Sequence, residues 1–69
     1  MTEAVETASA ATSQDPQVGL QAVAALRRLV ERLEALQVDN ARRRGWSWEE
    51  IGRALGVSKQ AVHKKHGRR

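Results

Sequence analysis

The stretch WSWEEIGRALGVSKQAVHKKHGRR, Trp46 to Arg69, decides how the rest of the chain is read. Ser47 is followed three residues later by Glu50, the spacing at which a cap hydroxyl and a carboxylate each satisfy a backbone amide of the other, so a helix is expected to open at Trp48. Trp46, just ahead of that cap, is placed to staple onto Ile51. Gly56 ends the helix, and Val57-Ser58 repeats the entry logic with Ser58 as cap and Val57 placed to staple onto Val62. Two short helices are therefore expected, with Gly56 supplying the positive φ that reverses the chain without strain. Gly52 falls on the face where they cross, and its missing side chain allows close approach. Ile51, Leu55, Val57 and Val62 are expected to fill the wedge between them.

On a helical wheel centred on Val62, Gln60 and Lys64 point farthest away, with Lys59 and His63 flanking. These side chains suit a major groove: Gln bonds bidentately to adenine, Lys donates to guanine acceptors or phosphate, and His donates or accepts at a base edge. The Ser58 hydroxyl and the amides at the helix start can hold a phosphate.

The segment EEIGRALGVSKQAVHKK resembles the helix-turn-helix of bacterial regulators, closest to the fourth-region DNA-binding module of sigma factors and to small actinobacterial helix-turn-helix proteins. The resemblance spans Trp46 to His66. It implies a DNA-binding protein whose second short helix, Ser58 to His66, is the recognition helix, with Ser58, Lys59, Gln60, His63 and Lys64 at the contact positions. One position departs from the pattern. Lys65 stands where such motifs place a last apolar residue, so the recognition helix either ends short or leans on His66 instead.

Charge is distributed to match. The 69 residues carry a formal net charge of +4, but from Gln37 onward Arg42, Arg43, Arg44, Arg53, Lys59, Lys64, Lys65, Arg68 and Arg69 face only Asp39, Glu49 and Glu50. Such asymmetry points to a polyanionic partner, nucleic acid more often than a membrane surface, with a merely solubilising surface as the plainer explanation. Phosphate contacts are expected from Ser58, Arg42, Arg43, Arg44, Arg53, Lys65, Arg68 and Arg69, and base contacts from Lys59, Gln60, His63 and Lys64. Arg42 to Arg44 also have a local role, since cations at a helix C-terminus meet the helix dipole favourably. Arg68 and Arg69 read as a basic extension able to follow phosphates or enter a minor groove, or as the cut end of a longer chain.

Upstream, Asp15-Pro16 is a helix opening, and no further proline follows before Gly45, where a left-handed cap belongs. Residues 15–45 are expected to form one long helix. Ala22, Leu26, Leu29, Leu33 and Leu36 recur at steps of four and three, Asn40 takes the next core position, and Val23 and Val30 widen the stripe. Two short helices can cover only part of so long a helix, which leaves the Leu26 to Leu33 region without an intramolecular partner. Homodimerisation through Leu26, Leu29, Val30, Leu33 and Leu36 follows as the expectation. Residues 1–14 hold almost nothing large and apolar and are expected to be a disordered tail.

Other chemistries find little support. There is no cysteine, so disulfides and thiolate metal sites are excluded. His63 and His66 stand about one turn apart with no third ligand placed nearby, and no metal or other cofactor is expected. Trp46 and Trp48 read as a staple and a core anchor before they read as base-stacking groups. No nucleophile, base and orienting group converge, so an enzyme is not expected. No apolar run approaches a membrane span, the N-terminus lacks the order of a secretory signal, and the protein reads as cytoplasmic, at the nucleoid. The expected fold is all-α: a tail, a long dimerising helix, and a helix-turn-helix over residues 46–69 that binds double-stranded DNA as a transcriptional regulator. Two alternatives stand beside it, a non-specific nucleoid protein and a helical module docking on RNA polymerase or another regulator.

Overall fold

The structure, a computed structural model, describes residues Thr2–Gly67. Its elements are α1 (Thr2–Ala10), α2 (Pro16–Arg43), α3 (Trp48–Leu55) and α4 (Lys59–His66), with no strand among the described residues, so the fold is all-α. None of these helices is long and apolar enough to cross a membrane. The chain divides into two compact units, with the boundary inside α2 between Leu33 and Glu34.

In the first unit the structure departs from the disordered tail expected over residues 1–14, because Thr2–Ala10 are helical. Ala and Glu are strong helix formers, and α1 does not stand alone. Glu3, Ala4 and Thr7 share a hollow with Ala25, Leu26, Arg28, Leu29 and Arg32 of α2. The return is tight: the Ser13 hydroxyl accepts from the Asp15 amide (3.1 Å), Asp15 Oδ1 accepts from the Gln17 amide (2.9 Å), and Pro16 opens α2. A side chain at Gly19 would meet the Ser13 carbonyl at 3.3 Å, so glycine lets the turn lie close to α2.

Along the seam from Leu26 to Leu33, Leu26 and Leu29 line that hollow beside α1. Ala22 is buried and Leu26 and Leu29 are half-buried, whereas Val30 (58%) and Leu33 (50%) stay exposed.

In the second unit α2 and α3 end by the same device. Gly45 (φ 85°) and Gly56 (φ 78°) are left-handed, and each is followed by an amide that bonds back across the turn, Trp46 to the Ala41 carbonyl (3.0 Å) and Val57 to the Gly52 carbonyl (2.9 Å). At Ser47 both halves of the capping box form: Glu50 N–H to Ser47 Oγ (3.1 Å) and Ser47 N–H to Glu50 Oε1 (2.8 Å). Ser58 Oγ accepts from the Ala61 amide at 3.0 Å.

The core is small: Val38 of α2, Ile51 of α3 and Val62 of α4, with Ala41 and Trp48 packed against them. A Cβ on Gly52 would stand 2.9 Å from the Val57 carbonyl and 3.3 Å from the Lys59 amide, which is how α3 admits the start of α4. Leu55 and Val57 do not fill the wedge as the sequence suggests, since both are exposed. With the turn backbone packed directly on Gly52, Ile51 and Val62 close the crossing. Leu55 instead lines an open apolar hollow of about 400 Å³ with Val38, Ala41, Trp46, Ile51 and Ala54.

Candidate nucleic-acid interface

The candidate interface lies in the second unit. Val62 and His66 form the inner face of α4, one turn apart, and both are buried. Gln60 and Lys64 lie opposite that face by periodicity and His63 beside it, while Lys59 follows the inner stripe by spacing but is exposed in the first turn; all four are exposed. The helix is oriented by its Ser58 cap at one end and by Val62 in the middle. His63 is further restrained, its ring centroid 5.2 Å from that of Trp48 at a 43° tilt. Trp48 is half-buried against the core, in keeping with an anchoring role.

The remaining predicted phosphate contacts fall into distinct situations. Arg42 donates from Nη1 to the Trp46 carbonyl (2.8 Å), and its guanidinium carbon sits 4.6 Å from the Trp48 ring centroid. It thus ties the end of α2 to the link before α3 and packs on an aromatic face. Arg44 Nε reaches Asn40 Oδ1 at 3.4 Å, and Arg53 approaches Glu49 at 3.8 Å with both side chains largely in solvent, a pairing of little energetic weight. Arg43 lines a hollow with Asp39, Arg42, Trp48, His66 and Gly67. Arg68 and Arg69 lie outside the described residues.

Lys65 is placed differently from the other cations. Its Nζ lies 3.1 Å from Oε2 of Glu34, and His66 Nε2 lies 2.7 Å from the same oxygen. His66 is only 5% exposed and stands where a last apolar residue would have packed. The carboxylate accepts, so the proton of this bond belongs to Nε2 of His66. The hydrogen bond from His66, followed by that from Lys65, holds the Glu34 carboxyl below its ordinary value of 4.5. Glu50 is lowered too, through its bond from the Ser47 amide.

Sequence reasoning missed Glu34. The signal was present, because Glu34 precedes Val38 by one helical turn as Val62 precedes His66, so an apolar pair and a polar pair stack in register. A heptad reading of α2 counts only its apolar positions and passes over that glutamate.

No family model matches the chain, and no solved structure does. Over 28 residues, 41% of this chain, it is 57% identical to uncharacterized proteins of Mycobacterium bovis and of two strains of Mycobacterium tuberculosis. The match takes in 11% of the length of each of those proteins.

Proposed function

We propose that this protein binds double-stranded DNA through a helix-turn-helix formed by α3 and α4, with α4 as the recognition helix, and that it acts as a bacterial transcriptional regulator. The observation that carries the reading is the division of α4 into two faces. Val62 and His66 are buried, while Lys59, Gln60, His63 and Lys64 stand in solvent at the positions that meet base edges in such motifs. Arg43, Arg44 and Arg53 supply salt-dependent attraction to phosphates around that face, and the Ser58 hydroxyl offers a phosphate hydrogen bond.

The resemblance of EEIGRALGVSKQAVHKK to sigma-factor and actinobacterial helix-turn-helix segments supports the same assignment. Pairing of two copies through α2 accompanies it. Val30, Leu33 and Leu36 remain half or more exposed, and a second copy would cover them along with the edges of Leu26 and Leu29. Two recognition helices would then meet half-sites about 34 Å apart if they lie in successive major grooves.

The hollow between α2 and α3 favours a second reading, a helical module that docks on RNA polymerase or another regulator, because its lining is mostly apolar. Selection from a pool of random duplexes at near-physiological salt, followed by sequencing of the bound fraction, separates the possibilities. Enrichment of a motif with two related half-sites is the expected result. Retention without a motif would leave a non-specific nucleoid protein, and no retention would leave the docking module.

A further inference from the structure

Resting on the duplex-binding reading, we propose that Glu34 of α2 is the positioning residue of α4. One carboxylate oxygen, held by two consecutive side chains of the last turn, sets the pitch at which Gln60, His63 and Lys64 meet a groove.

A helix of eight residues does not hold its own conformation in water and must be fixed by what it touches. The Ser58 cap fixes where α4 begins, and Val62 fixes one point of its inner face. A rod seated at one apolar point can still pivot about it. The second point sits roughly 6 Å further along the axis, four residues at 1.5 Å each. There no apolar residue is available, and Glu34 Oε2 takes both His66 Nε2 (2.7 Å) and Lys65 Nζ (3.1 Å).

Burial makes this hold directional. The Glu34 side chain is 23% exposed and that of His66 is 5%, so the bond between them is shielded from exchange with solvent, while Lys65 at 53% closes the open side. The same arrangement withdraws Lys65 from the set of phosphate contacts, since its charge is already engaged by Glu34. His63, three residues before His66 on the same short helix, lies against Trp48, so its ring reports on the pitch of α4 without any DNA present.

Glu34→Ala, Glu34→Leu and Glu34→Asp separate positioning from charge and from folding. Removing an acid raises the net positive charge, so electrostatics alone would tighten binding to every duplex. Positioning demands the opposite for the selected duplex: a loss of about tenfold in Glu34→Ala, the scale of one charge-assisted hydrogen bond, with less than about twofold change on random duplex. The ring-proton resonances of His63, shifted by the Trp48 ring, should move in the free variant while far-UV circular dichroism stays near that of the parent. Glu34→Asp should restore part of both readouts.

Tighter binding to both duplexes with unmoved His63 resonances would overturn the proposal. So would equal losses on both duplexes in step with a lower melting temperature, which would mark Glu34 as merely structural. Should Glu34→Ala unfold, Glu34→Leu decides by the same criteria, as it keeps the bulk of the side chain but offers no acceptor. Absence of duplex binding by the parent protein would remove the DNA reading alone. The His63 resonances of Glu34→Leu would still show whether Glu34 orients α4, and unmoved resonances would refute it.

Discussion

The two halves of this chain reach helical structure by different means. Up to Leu33, α1 folds back beside α2 with small side chains, and Ala22 and Gly19 are the buried residues among those described. From Glu34 on, nearly every junction is made by a directional device: two left-handed glycines, a reciprocal capping box, a second serine cap, a close backbone approach at Gly52 and a buried histidine held by a carboxylate. Apolar area is scarce in both. The difference shows that a unit of this size can define the direction of an eight-residue helix when turns and polar contacts, rather than core volume, specify it.

Removing one apolar side chain from each half should separate them most. Ile51→Ala takes a buried side chain from a core of three and should cost about 2 to 5 kcal/mol, enough to melt α3 and α4 at ambient temperature. Leu26→Ala removes a half-buried side chain beside an open hollow and should cost well under half as much. Thermal unfolding followed by circular dichroism, with Trp48 fluorescence as a local probe of the second unit, measures both. Similar losses at the two positions would mean that α1 is packed as specifically as α4.

A smaller contrast lies in the glycines. Both Gly19 and Gly52 are helical, so alanine gains about 1 kcal/mol of helix propensity at either. At Gly19 the new methyl meets one carbonyl at 3.3 Å, in a turn with room to give, and the net effect should be near zero. At Gly52 it meets three backbone atoms, the nearest at 2.9 Å, and overpacking of about 1 to 3 kcal/mol should outweigh the gain. A Gly52→Ala protein that melts at or above the parent temperature would show that α3 and α4 can separate without loss, and the wedge argument would fail.

These contrasts also mark what could be read from the residues alone. Caps and glycine turns are local, written within four residues of chain, and so Ser47, Glu50, Gly56 and Ser58 are legible without knowledge of the fold. The outer face of α4 follows from periodicity once Val62 is placed inward. What escapes is whatever depends on a distant partner. Alanines in residues 1–14 read as a tail because their usefulness depends on α2 lying beside them. Leu55 and Val57 read as core because apolar character does not say how little space Gly52 leaves. Glu34 and His66 are 32 residues apart, and only the matching four-residue spacings to Val38 and Val62 link them.

The weakest contrast is in acid, and it singles out the polar contacts of the second unit. Glu34 and Glu50 both titrate below the ordinary 4.5, Glu34 through the hydrogen bonds from His66 and Lys65 and Glu50 through the Ser47 amide. A carboxyl lowered in the folded state contributes stability that is complete above its unfolded value and disappears as pH falls through the folded value. Stability should therefore be flat above about pH 5 and decline below about pH 4.5 as these two groups protonate. Glu50 is an exposed cap, so most of the decline should come from Glu34, whose protonation weakens the charge-assisted bonds from buried His66 and from Lys65. Melting temperatures of the parent, Glu34→Gln and Glu50→Gln proteins between pH 3 and 7 test the assignment. Glu34→Gln should flatten the profile more than Glu50→Gln, and the reverse order would place the acid-sensitive contact at the start of α3 rather than at the end of α4.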